Sequence, residues 1–270
     1  MNPVLWLELR TRLRERKLWI LAILFLLLFG GIDFAVIFGN AWKNPLFVPP
    51  AEVGNLLQGT SVSTLMGFAL VLGWAIGAGR LTQEREQRTL SGLLNTPLAT
   101  RRIVIGKLLG SWALLLWFFS LTLPFFAFAA VWGGVSWAAS LGALVVCVFT
   151  GLTITALAVG LSGYFRRTAT SYIAVGLFLL VWLALLPILD GILHLPLEGK
   201  THPYWNTALD IVLLNHNPVY ILVGIMDDSG PLSVAPGFLL LEGFVVWTLL
   251  SVLSLRVGAR GLLRGLEEKL

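Results

Sequence analysis

Charge is scarce in this sequence: only 12% of its 270 residues are Asp, Glu, Lys or Arg, about half the roughly 25% of an ordinary soluble domain. A water-soluble fold of this size could not cover its apolar surface with so few charged groups. Cysteine is scarcer still. Cys147 stands alone, which excludes a disulfide or a cysteine-based metal site within the chain. The three histidines, His194, His202 and His216, follow no ligand spacing and read as solvated or interfacial side chains rather than a metal centre. Enzyme signatures are missing too. Gly106-Lys107 does not complete a phosphate-binding loop, because Arg occupies position 101 and Leu position 108 where that loop needs Gly and Ser or Thr. Neither HExxH nor GxSxG occurs, and Asp227-Asp228 reads as a loop turn. No catalytic, cofactor-binding or metal-ligating residue is therefore assigned.

What the chain has in excess is apolar surface. Hydrophobic residues make up 57% of it, with eleven Trp and sixteen Phe, and the mean hydropathy is +0.86. A bilayer tolerates this composition because lipid is itself an apolar solvent. A span needs roughly 20 apolar residues. Six segments qualify: Leu18–Phe38, Gly59–Gly79, Ile103–Val131, Trp137–Gly163, Ser171–Leu193 and Gly237–Leu255. The third and fourth exceed the minimum, so tilt or extension beyond the lipid is expected. The first is too long for the apolar core of a signal peptide and has no small-x-small cleavage site after it, so it reads as an uncleaved anchor.

Lys and Arg set the orientation. Seventeen of the nineteen precede the first span, lie between spans two and three or four and five, follow the sixth, or (Lys107) sit at the very start of the third; only Lys43 and Lys200 do not. Such an asymmetry places both termini in the cytoplasm. The basic charge is then explained by anionic lipid headgroups rather than by nucleic acid. The expectation is an all-α integral membrane protein of six transmembrane helices, forming one domain over residues 1–270 and passing repeatedly through the cytoplasmic (inner) membrane.

No ionisable residue lies near the middle of any span; Asp33, Asp190 and Glu242 fall toward the outer ends. Ion-coupled transporters place such groups at the midplane, so energy for any transport would have to come from elsewhere. Gly73 and Gly77, Gly106 and Gly110, and Gly160 with Gly163 have the spacing that lets helices approach closely in lipid.

Three segments outside the spans carry further information. Residues 1–17 place Leu5, Leu9 and Leu13 at helical spacing beside Trp6, with Arg10, Arg14 and Lys17 on another face. That pattern predicts an amphipathic helix lying in the membrane interface. The connection Arg80–Lys107, with its coupling region at 80–102, puts Glu84 and Arg88 one helical turn apart and Leu90, Leu93 and Leu94 on one face. Thr96-Pro97 should end that helix, and Thr100 is a candidate cap for the next. An isolated loop has little reason to expose leucines to water, so a protein partner with a matching groove is expected. The external segment 195–236 contains Asn217-Pro218 before Val219–Met226, the pattern of a capped short helix that Asp227-Asp228 would end.

The connection between spans two and three resembles the coupling region of type 2 (exporter-like) ABC permeases. The resemblance rests on Glu84 and Glu86, Arg88-Thr89-Leu90, Leu93-Leu94, Pro97, and Ile103 with Gly106-Lys107; Ser91-Gly92 stands where the family commonly has Glu or Asp. It implies that these residues couple to a cytoplasmic ABC ATPase, present in two copies, which binds the ATP. It implies a dimer with a second permease copy or a paralogue, working as an ATP-driven exporter without cofactors of its own. It also implies short re-entrant external helices between spans five and six, with Asn217 and Pro218 at an external gate. Two other readings stay open: a membrane subunit of an ABC-type maturation or assembly complex, and an ATP-independent channel or scramblase.

Overall fold

The computed structural model describes residues 10–11, 14–43, 49–89, 92, 100–194, 217–226 and 236–267. Six helical stretches within them are long and apolar enough to cross a membrane. The first is α1 (Arg16–Lys43). Its buried residues Leu18, Ala22, Phe25, Phe29 and Asp33 recur every three or four positions, one stripe of a helix. The rest of its surface is no less apolar, as Ile20, Leu24, Leu27 and Phe34 show by their exposure.

Next comes α2 (Pro50–Gly77), with Pro50 at its first position and Glu52 in its first turn. Proline has no N–H to waste there, and a carboxylate suits the positive end of the helix. This helix starts two turns before the apolar segment read from sequence. A tight turn leads to the short α3 (Thr82–Glu86). The third apolar segment is two helices, α4 (Thr100–Ser120) and α5 (Leu123–Trp132). Pro124 explains the break, since it cannot donate the helical hydrogen bond back toward Ser120. Phe25, Phe29, Phe68, Phe118 and Phe125 pack together with centroids 4.5–6.3 Å apart, joining α1, α2, α4 and α5. Phe118 and Phe125 of the third span thus fill space between helices, whereas Phe128 and Trp132 are exposed.

The turn after α5 needs glycine, because Gly133 and Gly134 adopt φ values of 83° and 73°. A side chain on Gly134 would also collide with the backbone of Ala51 at the start of α2. Then comes α6 (Trp137–Tyr164), where Ser136 accepts a hydrogen bond from the Ala139 N–H at 3.4 Å. The fifth span begins as α7 (Thr168–Leu180), widens into one π-helical turn (Val181–Leu185) and continues as α8 (Leu186–His194). A separate short helix, α9 (Pro218–Met226), precedes the long α10 (Pro236–Glu267).

The axis of the bundle is α6, which is 67% buried across its apolar window whereas the fifth span is only 17% buried. Small residues make this possible. Gly151 and Ala158 of α6 meet Gly73 and Gly77 of α2; a β-carbon on Gly73 would lie 3.0 Å from the Gly151 carbonyl. On the other flank Gly160 and Gly163 cross Ser254, Gly258 and Gly261 of α10, backbone against backbone. Close packing of this kind holds helices together where lipid provides no hydrophobic drive. The Gly73–Gly77 and Gly160–Gly163 spacings read from sequence therefore operate inside this chain.

Candidate functional site

The arginine-rich end of the bundle carries a compact polar hub built on α3. Its backbone is anchored first: the Leu81 and Thr82 N–H groups donate to Ser162 Oγ of α6 at 2.8 and 3.0 Å. These are the donors that the start of a helix cannot satisfy internally. Three consecutive side chains of α3 then reach three different helices. Glu84 forms an ion pair with Lys107 of α4, and Lys107 itself is buried. Arg85 donates from its guanidinium to the carbonyls of Phe165 at 2.9 Å and Gly163 at 3.2 Å, at the C-terminal end of α6. Glu86 accepts from both the Thr168 N–H and its hydroxyl, each at 2.8 Å, at the N-terminal end of α7.

The signs of these charges follow the helix dipoles. A cation sits on the carbonyl end of α6 and an anion on the amide end of α7. The α7 cap residue, Arg167, makes no capping bond with its own side chain, so Glu86 caps that helix from another element. The Thr168 N–H and hydroxyl, assisted by Arg167, hold the Glu86 carboxyl below its usual range.

The hub ends abruptly. Arg88 takes a left-handed φ of 59°. The Thr89 N–H bonds the Glu84 carbonyl and the Arg88 N–H bonds the Arg85 carbonyl, at 3.0 and 3.2 Å. That is a Schellman closure, usually built on glycine. The sequence places Glu84 and Arg88 on one continuing helix; the structure stops that helix at Glu86 and directs Glu84 to Lys107. The reason is competition: a buried ammonium on α4 offers Glu84 a stronger partner than an exposed neighbour one turn along.

Of the residues read as coupling elements, the structure brings together Glu84, Glu86 and Lys107, with Gly106 buried beside Lys107 and Arg88 and Thr89 closing the turn. Leu90, Leu93, Leu94 and Pro97, and the interfacial residues Leu5, Trp6, Leu9 and Leu13, lie outside the described residues, as do His202 and His216. Sequence reasoning missed Arg85, Ser162 and Thr168. Only the shortness of the Phe165-Arg166-Arg167 turn hinted that two helix ends would sit side by side there. Beside the hub is a cavity of about 290 Å³ with Lys17, Arg80 and Gln83 among its polar lining and Leu18, Leu21 and Leu72 among its apolar lining.

At the opposite end Asn217 and Pro218 start α9 as read from sequence. Asn217 Oδ1 accepts from the Val219 N–H at 3.0 Å, and Asn217 Nδ2 donates to the Trp182 carbonyl at 3.2 Å.

The described residues thus form a polytopic helical bundle with a charged hub at one end and a short separate helix toward the other, the architecture of a multi-pass membrane protein. The profile of the family described as ABC-2 family transporter protein matches residues 2–253. The chain belongs to that family. It is a multi-pass membrane protein and the permease component of an ABC transporter, not the ATPase. Compared individually with curated proteins, it matches none.

Proposed function

We propose that this chain is the permease subunit of an ATP-driven exporter, and that its hub transmits the motion of a separate cytoplasmic ATPase to the spans. The observation that carries this reading is the attachment of Glu84, Arg85 and Glu86 to α4, α6 and α7 respectively. A force applied to α3 or its continuation would move three helices together, because each tie is charge-assisted and such bonds are stronger than neutral ones. The positive charge concentrated at this end favours a cytoplasmic location, where an ATPase could reach it. Leu90, Leu93, Leu94 and Pro97 are the docking surface in this reading, and the hub behind them is the lever. The leucine stripe Leu5, Leu9 and Leu13 with Trp6 forms the interfacial helix. Two ATPase copies and a second permease, identical or paralogous, complete the assembly. In the same reading α9 is part of an external gate on the far side, with Asn217 and Pro218 at its start.

The test is a pull-down with the tagged full chain from its native membrane, read for a cytoplasmic ABC ATPase. Leu90→Asp combined with Leu94→Asp is expected to abolish association while leaving membrane insertion intact. Survival of the complex would remove the docking assignment. Conduction or lipid scrambling by the chain alone in proteoliposomes, without ATP, would favour a channel or scramblase. Co-purification with a maturation partner, and no solute transported by the complex, would favour an assembly role.

A further inference from the structure

We propose that Asn217 is a latch that couples the seating of α9 to the π-turn in the fifth span, and that Pro187 creates the need for it. The bond itself is observed, Asn217 Nδ2 to the Trp182 carbonyl at 3.2 Å; its consequence for transport rests on the gate reading above.

The argument begins with the π-turn. There the Leu186 N–H bonds the carbonyl of Val181, five residues back. In that register the next donor, at position 187, would serve the Trp182 carbonyl. Position 187 is proline and has no N–H. The Trp182 carbonyl is thus left without a donor from its own helix. Trp182 is only 4% exposed, and an unpaired buried carbonyl is costly. Asn217 supplies the donor.

The same side chain does a second job. Its Oδ1 takes the Val219 N–H, one of the orphan donors at the start of α9. Asn217 is 2% exposed, so both ends of its amide are satisfied inside the protein. One amide therefore meets an acceptor made free by a proline in the fifth span and a donor made free by the start of α9. A shorter capping residue could do the second task but not the first.

The surroundings fit a seat that can be vacated. Ile221 and Leu222 of α9 are buried, whereas Val219 and Val223 are exposed. Ile221 lies against Gly243 of α10, where a β-carbon would come within 2.8 Å of its terminal methyl. Trp182 meets Trp247 of α10 edge to face, with centroids 6.4 Å apart. If α9 leaves, the Trp182 carbonyl loses its donor unless the π-turn rearranges as well. Pro187 prevents the helix from healing the gap by itself. The two motions are linked for that reason.

The experiment uses the full chain with its ATPase in nanodiscs and a Leu222→Cys reporter, since Leu222 is 5% exposed and the native Cys147 is buried. Labelling by an impermeant maleimide reads how often α9 lifts from its seat. Asn217→Ser keeps a good cap but cannot reach Trp182; it is expected to raise the labelling rate about tenfold. Pro187→Ala restores an N–H for the carbonyl, so adding Asn217→Ser in that background is expected to change the rate by no more than about twofold. Equal effects of Asn217→Ser in both backgrounds would overturn the latch. Should Asn217→Ser fail to accumulate, Asn217→Ala gives the same comparison, with a smaller effect in the Pro187→Ala background again expected. Compensation by Pro187→Ala with labelling that never responds to ATP would uphold the latch and remove the gate reading. Labelling that responds to ATP without any compensation would do the reverse.

Discussion

The two ends of this bundle are fastened by different chemistry. At the basic end α3 is held by an ion pair and by charged side chains placed on helix termini. Toward the far end the described ties are mostly neutral, Asn217 to Trp182, Gln58 to Ser140 at 2.5 Å and a glycine turn against α2; the exception is the Asp33 carboxyl, which accepts from Ser61 Oγ at 2.8 Å. Hydrogen bonds to ionised groups are roughly twice as strong as neutral ones. The difference teaches that the stronger, charge-assisted ties are concentrated around α3, the element through which force would enter in the proposed reading. Between them α6 serves both ends, and its small residues make it the shared axis.

The comparison can be broken at three points, beginning with the one that should cost most. Gly160→Leu places a branched side chain against the backbone of Ser254, where no rotamer change can relieve it. It is expected to destabilise the fold by more than about 3 kcal/mol, read as a fall in thermal midpoint or loss of the monodisperse species in detergent. Since Gly160 belongs to the axis, both ends should fail together. A variant that lost only the basic end would show that the ends are independent.

Lys107→Met leaves Glu84 without its cation. The expected loss is about 2 to 3 kcal/mol, at the low side for broken buried pairs because Glu84 keeps partial solvent access. Adding Glu84→Met should recover much of that loss, as apolar replacements of buried pairs commonly do. Thermal unfolding of the two variants checks this. If the double variant is no more stable than the single, the pair is not what secures α3 to α4.

The smallest effect belongs to Glu86, which is exposed. Its carboxyl sits below its ordinary value of 4.5 in the fold. A carboxylate with a lowered folded pKa stabilises fully above its unfolded pKa and loses that contribution as pH falls through the folded value. Protection of the Thr168 amide against hydrogen exchange should therefore be flat above pH 5 or so and decline only under more acidic conditions. Glu86→Gln should lower it to the level the native chain reaches under acidic conditions, and remove the pH dependence. A decline near neutral pH would assign the effect to another group.

Some of this was legible in the residues. Asn217-Pro218 announced a capped helix, and α9 spans Pro218–Met226 as its pattern requires. The glycine pairs announced close helix approach, which Gly73 and Gly77 make with α6. The hub was only half legible. Glu84 and Lys107 stood out by their pattern, but their pairing across 23 positions depends on how α3 lies against α4. Arg85 drew attention only as one basic residue among many, because the carbonyl ends it serves belong to α6. The Asn217–Trp182 bond was invisible as well, since nothing local shows that a π-turn precedes Pro187.

By itself the sequence determined the solvent: too few charges for water, six apolar runs of membrane length, and basic residues gathered on alternate connections. These properties are set by composition and linear order. Tertiary structure alone decided which face of each helix is inside. Leu18 and Phe25 are buried while Ile20 and Leu24 are exposed, although all four are equally at home in lipid. Hydrophobicity sorts residues between protein and water but not between protein and lipid, so only the fit of small residues and the few polar ties could make that choice.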